Sequence, residues 1–274
     1  MPSETVQEFR SMMDIQKGQS TEPEKPHISS SQINLILDCS AKYMFRYIFR
    51  IRPPSRPFAA RGKAVHRGLE YNYRQKIETH EDLPLSDVLE VASDAFDSML
   101  AYVQWDSEED PGQFKDQTVE LISFYHQLVA PTIQPVMVEQ PVIIDIPETD
   151  FIIKGFIDLI DSNGYIRDTK TKNITPPQKV VDNSLQLTIY AMGYRQLTGK
   201  AEAGVILDNV VNLKKGPKYV PLVSQRTDRD ITRITNIARA IVGCIKSGSY
   251  CPNPNSMMCS ESQCEFWKIC HETF

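Results

Sequence analysis

The distribution of apolar residues divides this chain into a helical front and a β-rich middle. "HISSSQINLILDCS" opens with a serine cluster suited to capping, and predicts a short apolar helix ending near Cys39. "AKYMFRYIFRI" predicts a second short helix, stopped by Pro53-Pro54. Three longer helices are predicted over 60–77, 85–103 and 113–130, the first carrying His66 and Glu70. Then the pattern changes. "PVMVEQPVIIDIP", "DFIIKGFIDLID" and "YIRDTKTK" are rich in β-branched residues and separated by turn signals, so they predict strands. "LQLTIYAMGYRQLTG" predicts a helix capped by Asp182-Asn183-Ser184 and ended at Gly199. Two more strands, "AGVILDNVV" and "KYVPLVSQ", and a last helix over 230–246 complete the order. The class expected is α/β: a small mixed sheet flanked by helices, with a helical insertion ahead of it.

One stretch breaks its own pattern. "GFIDLIDSNGYIRDTKTKN", residues 155–173, is a hairpin around Ser162-Asn163-Gly164, yet Asp158 interrupts one arm and Asp168 and Lys170 the other. Charges in strand interiors are costly unless compensated. Residues two apart share a face, so Asp168 and Lys170 project together. A three-residue loop with Gly164 left-handed pairs Asp161 with Tyr165 and sets Asp158 opposite Asp168; a two-residue loop would put the carboxylates on opposite faces. The longer loop is expected. Two adjacent carboxylates repel each other and make a hard-cation site for Mg²⁺ or Mn²⁺. A lysine beside the ion can orient or deprotonate water, or stabilise a phosphorane-like transition state. That chemistry suits phosphodiester hydrolysis.

Composition refines this picture. The chain has 274 residues, enough for a sizeable core, and no apolar run long enough to span a membrane. Residues 1–26 are polar, carry three prolines, lack the layout of a secretion signal, and are expected to form a disordered tail. A soluble, cytoplasmic protein with one domain over 27–274 is expected: 27–130 mostly helical, 131–230 the sheet core, 231–274 the last helix and a cysteine-rich tail. The net charge of −5 hides segregation. Residues 39–69 hold eight Lys/Arg and no acid, with Tyr43, Phe45, Tyr47, Phe49 and Phe58 interleaved. Such a stretch can neutralise phosphates and offer rings to bases, although the aromatics read more simply as a core stripe. Residues 78–110 hold eleven acids and no Lys/Arg, a solvated helical surface.

Four short motifs occur in order: Gly62 to His66 (G-x-x-x-H), Gly155 to Asp158 (G-x-x-D), Asp168 to Lys170 (D-x-K) and Gln186 to Tyr190 (Q-x-x-x-Y). Together they resemble the RecB-like branch of the PD-(D/E)XK nuclease superfamily, whose core is restriction-endonuclease-like. The resemblance implies that Asp158 and Asp168 bind the metal with His66 and the Thr169 carbonyl. It also implies that Lys170 is the catalytic lysine and that Gln186 and Tyr190 position DNA. Glu139, on the strand before the hairpin, reads as an outer supporting group or a solvated side chain.

Five of the six cysteines fall in the last thirty-one residues. Cys259, Cys264 and Cys270, clustered on a short tail, suggest metal ligation, with Cys39 as the fourth ligand. This layout resembles the AddB-type and CRISPR-associated iron–sulfur exonucleases of the same branch, which implies a 4Fe–4S cluster tying the domain's ends together. The first tail gap is often shorter in that group, which keeps zinc open and Cys251 or His271 as rival ligands. Cys244, within the last helix, reads as core. The expectation is a Mg²⁺- or Mn²⁺-dependent deoxyribonuclease, an exonuclease on DNA ends or single strands in repair, recombination or phage DNA metabolism. The 39–69 segment would guide the strand toward His66. The alternatives are a non-catalytic DNA-binding or assembly subunit on the same fold, and a zinc-stapled enzyme acting on RNA.

Overall fold

The computed structural model describes residues 25–274; most of the expected tail, residues 1–24, lies outside them. The described residues form two compact units. One contains Pro54–Pro141 and Phe156–Arg226; the other contains the residues up to Pro53, Val142–Gly155 and Thr227–Phe274. Strands β1 (His27–Ile28), β2 (Pro135–Asp145), β3 (Ile152–Asp161), β4 (Tyr165–Lys172), β5 (Gly204–Leu213) and β6 (Gly216–Ser224) build a six-stranded mixed sheet. Its order is β1-β3-β4-β5-β6, with β2 also paired to β3. β3/β4 and β5/β6 are antiparallel, while β1/β3 and β4/β5 are parallel. The fold is α/β with helices flanking the sheet.

Helix α1 (Ser30–Asp38) begins with a reciprocal capping box between Ser29 and Gln32. The next segment starts as α2 (Ser40–Tyr43) and widens into a π-helical turn over Met44–Ile48. Three helices follow: α3 (Pro57–Thr79), α4 (Leu85–Asp97) and α5 (Pro111–Leu128), with proline in the first turn of α3 and α5. Two rows of buried positions run along α3 at four-residue spacing, Ala60 and Ala64 in one and Val65, Leu69 and Tyr73 in the other. Val65, Leu69 and Tyr73 pack with Val88 and Ala92 of α4 and Leu121, Ile122 and Tyr125 of α5, whereas Ala60 and Ala64 pack with Phe96 and Phe114. The short α6 (Lys179–Asp182) and then α7 (Leu185–Thr198) make the crossover that the parallel β4/β5 pair requires. α7 is capped by Ser184 and ended by left-handed Gly199. α3 and α7 both pack on β4.

The chain ends with α8 (Asp228–Ser247) and a short α9 (Trp267–Thr273) that the apolar pattern did not predict. Cys244 is a correction. It is exposed, because the buried stripe of α8 runs through Ile234, Ala238, Ile241 and Val242, and Cys244 falls off that face. The mixed aromatic stretch divides as well: Tyr43 and Phe45 are buried, whereas Tyr47, Phe49 and Phe58 are exposed.

The hairpin register is the one that sets the carboxylates together. Leu159 pairs with Arg167 and Ile160 with Ile166, so the same register puts Asp158 opposite Asp168. Gly164 has φ +80 and donates its N–H to the Asp161 carbonyl at 2.9 Å. Asp161 Oδ1 accepts from the N–H groups of Asn163 and Tyr165, at 2.9 and 3.0 Å, which fixes the loop. Gly164→Ala should therefore cost about 1–2 kcal/mol, since an L side chain is strained in the left-handed region. Thermal unfolding should fall by about 2–4 °C for each kcal/mol. An unchanged melting temperature would contradict this account of the turn.

Candidate metal centre

β3 and β4 deliver two carboxylates, and α3 brings an imidazole to them. Ligand atoms of His66, Asp158 and Asp168 all lie within 4.8 Å of one another, the only such group of three among the described residues. His66 Nδ1 is 3.2 Å from Asp158 Oδ2, and the ring also bonds the Thr169 backbone. Among the described residues, neither that contact nor any other gives Asp158 Oδ2 a hydrogen bond, and Asp168 Oδ2 is likewise buried without one. Buried carboxylate oxygens left unpaired are costly. One oxygen from each carboxylate and one imidazole nitrogen, all within 4.8 Å of one another, form a donor set that Mg²⁺ or Mn²⁺ can take.

The protonation states follow from burial and proximity. Burial first, and then the charge of Asp168, holds Asp158 well above the ordinary carboxylate range. Burial also lowers the His66 pKa, which keeps the imidazole neutral at neutral pH and its nitrogen free to ligate. Lys170 Nζ donates to Asp168 Oδ1 at 2.8 Å. Burial works against its ammonium, but Asp168 and then Asp158 outweigh it, and the net shift is upward. Lys170 is therefore charged beside the two acids.

Gln186 and Tyr190 face inward. Tyr190 is buried; its hydroxyl donates to Asp158 Oδ1 at 3.3 Å, and Gln186 Nε2 donates to that hydroxyl at 2.6 Å. Burial pushes the phenol pKa up, so the hydroxyl stays a donor. The i, i+4 pair on α7 thus holds a carboxylate oxygen.

Two further acids line the cavity beside His66 and Asp158. Glu139 is half-buried, and its backbone lies at φ +50 in the middle of β2, an uncommon conformation for a non-glycine strand residue. Burial, then Glu70, raises its pKa. Glu70, one turn beyond His66, is held by Arg67 at 2.9 Å and Arg74 at 2.7 Å. Behind them lies an ionic network that sequence reasoning missed. Arg167 binds Asp161 at 2.8 Å and both oxygens of Asp208 at 3.1 Å, and the Tyr219 hydroxyl donates to Asp208 at 2.6 Å. The signal was present: Asp208 is a charge inside an apolar strand, just as Asp158 is.

The cysteines form a separate feature. Cys39, Cys259, Cys264 and Cys270 line one cavity together with Phe45, Phe266 and His271. Burial and then the neighbouring Cys39, Cys264 and Cys259 raise the Cys270 pKa. Cys251 is exposed and outside that lining, while the His271 ring lies 3.9 Å from that of Trp267.

Comparison with known proteins agrees with the fold. The family model of the PD-(D/E)XK nuclease superfamily matches residues 27–271, and the chain belongs to that superfamily. A solved protein from Eubacterium rectale, described as a "putative exonuclease", aligns with a TM-score of 0.57 at 13% identity, covering 90% of this chain and 88% of that one. SSO0001 aligns over 89% and 87% of the two chains at 11% identity, with a TM-score of 0.37 that does not mark a shared fold. No curated protein matches the sequence. Among the described residues, no helix is long and apolar enough to cross a membrane.

The raised pKa of Asp158 has a definite sign. The stability it contributes to the metal-free fold is fully present below its unfolded pKa and is lost as pH rises through the raised folded value. Asp158→Asn, neutral throughout, should therefore raise the melting temperature in EDTA at pH 8, by about 2–4 °C for each kcal/mol relieved. The same variant should lose the upward shift that Mn²⁺ produces in the wild type. A variant that melts lower in EDTA and keeps its Mn²⁺ shift would contradict the assignment.

Proposed function

We propose that this protein is a Mg²⁺- or Mn²⁺-dependent deoxyribonuclease, acting as an exonuclease on DNA ends or single strands. The observation that carries the reading is the pair of orphaned carboxylate oxygens beside a neutral imidazole and a charged lysine. His66, Asp158 and Asp168, with the Thr169 carbonyl, would hold the ion. When bound, it supplies a more acidic water and charge neutralisation at the phosphate. The chain's own residues do the rest. Asp168 holds the Lys170 ammonium, which remains protonated and so donates to the charge that builds on the phosphoryl oxygens. Tyr190, steadied by Gln186, fixes the rotation of the Asp158 carboxylate. Glu139 lines the same cavity, while the Glu70 charge is taken up by Arg67 and Arg74.

The same reading assigns Cys39, Cys259, Cys264 and Cys270 to a structural 4Fe–4S cluster of the RecB-like, AddB-type branch. What supports the assignment is that these four cysteines line one cavity. A role in DNA repair, recombination or phage DNA metabolism would follow from exonuclease action.

Lys170→Ala should lower turnover on labelled linear DNA at least ~100-fold, with the circular dichroism of the folded protein unchanged at the assay temperature and a lower melting temperature, because Asp168 loses its partner. Turnover within a few-fold of wild type would remove the mechanism. Purification without oxygen should give a brown protein with about four irons per chain, lost in Cys264→Ser. A colourless protein with one zinc would overturn the cluster assignment.

A further inference from the structure

Arg61, in the second turn of α3, has a buried charge that no acidic side chain among the described residues neutralises. It is 1% exposed. Its Nη1 donates to Gln117 Oε1 at 2.8 Å and its Nη2 to Asn173 Oδ1 at 2.7 Å, both neutral amides, while Nε has no partner. The guanidinium also lies over the Phe58 and Phe114 rings, at 5.4 and 5.8 Å. Lys76, by contrast, rests on the Asp82 carboxylate and the Ala130 carbonyl, while Arg226 meets hydroxyl or carbonyl oxygens through each of Nε, Nη1 and Nη2 and so leaves no nitrogen idle. A desolvated guanidinium with two neutral acceptors and an idle N–H is an unstable arrangement unless an anion completes it.

Position says which anion. α3 runs along β4: His66 meets Thr169, Gly62 approaches Thr171 so closely that a Cβ would lie 3.6 Å from its Oγ1, and Arg61 reaches Asn173 just past the strand. Arg61 is five residues before His66, about 7.5 Å along the helix and about 140° around it, and its side chain comes back toward the β4 line by reaching Asn173. Its covering groups lie at the surface and are uncharged: Asn173 is exposed and Phe58 is 48% exposed. The Phe58 ring presents a face to solvent and has a cation behind it, which suits a nucleobase.

We propose that Arg61 anchors a phosphate subsite for a nucleic-acid strand adjoining the metal centre, with Phe58 as the stacking face and Asn173 as the group the phosphate displaces. The inference rests on the nuclease reading of the neighbouring site. Arginine is the suitable residue, because its planar fork binds phosphate by two parallel hydrogen bonds, which lysine does not.

The test separates this role from a purely structural one. Arg61→Met keeps the stem and removes the charge; Asn173→Asp leaves Arg61 in place and gives it an internal carboxylate. Binding of a fluorescein-labelled single-stranded oligodeoxynucleotide is followed by anisotropy in EDTA at several salt concentrations, and cleavage is followed with Mn²⁺. Both variants should melt at or above the wild-type temperature, since each relieves a buried unpaired charge. Both should bind about tenfold more weakly, the slope of log affinity against log salt falling by about one, with the loss in cleavage appearing in KM rather than kcat. A structural rivet predicts the reverse for Arg61→Met: a lower melting temperature and unchanged affinity. If Asn173→Asp binds the oligonucleotide as wild type does while the wild type cleaves it, the subsite is refuted and the metal centre stands. A wild type that neither binds nor cleaves refutes both.

Discussion

The structure turns on the repulsion between two carboxylates that a hairpin holds face to face. Asp158 and Asp168 occupy opposed positions on β3 and β4, each with one buried oxygen unpartnered, and the fold supplies one ammonium to share between them. Left to themselves they would separate or one would take a proton. The neighbouring elements prevent the first, and burial brings on the second. On the proposed reading, that proton is what a bound cation would replace.

Restraint comes from behind the site. Asp161 ties the turn, Arg167 ties Asp161 to Asp208, and Asp208 pairs across to Thr169 between the two critical residues of β4. This network is compensated charge in the interior, so breaking one member would leave another stranded. On one side α3 places His66, and on the other α7 places Tyr190 against the Asp158 oxygen. Glu139, held at a positive φ, adds local strain at the same point. The stable parts of the fold therefore carry the energetic burden of an unfavourable arrangement, as functional sites commonly require.

Much of this could be read from the residues. Gly164 dictates a left-handed loop position, and the loop length then dictates which carboxylates face each other. The serine cluster ahead of α1 and the Gly199 stop of α7 are local signals that act locally. What escaped reading was tertiary. Nothing near Tyr190 says that its hydroxyl reaches Asp158 rather than solvent, and nothing near Arg61 says that no carboxylate will meet it. Cys244 looked internal by residue type, but the face of a helix is set by phase, and its phase is outward. α9 is too short, and its cysteines too mixed with polar residues, to leave a helical period.

The central claim is that three side chains from two strands and a helix converge on one divalent ion. Anomalous diffraction from crystals soaked in Mn²⁺ tests it directly. A single Mn²⁺ peak within about 2.0–2.3 Å of His66, Asp158 and Asp168 is the predicted result. A protein that binds Mn²⁺ elsewhere, and leaves those three groups unchanged, would contradict the account.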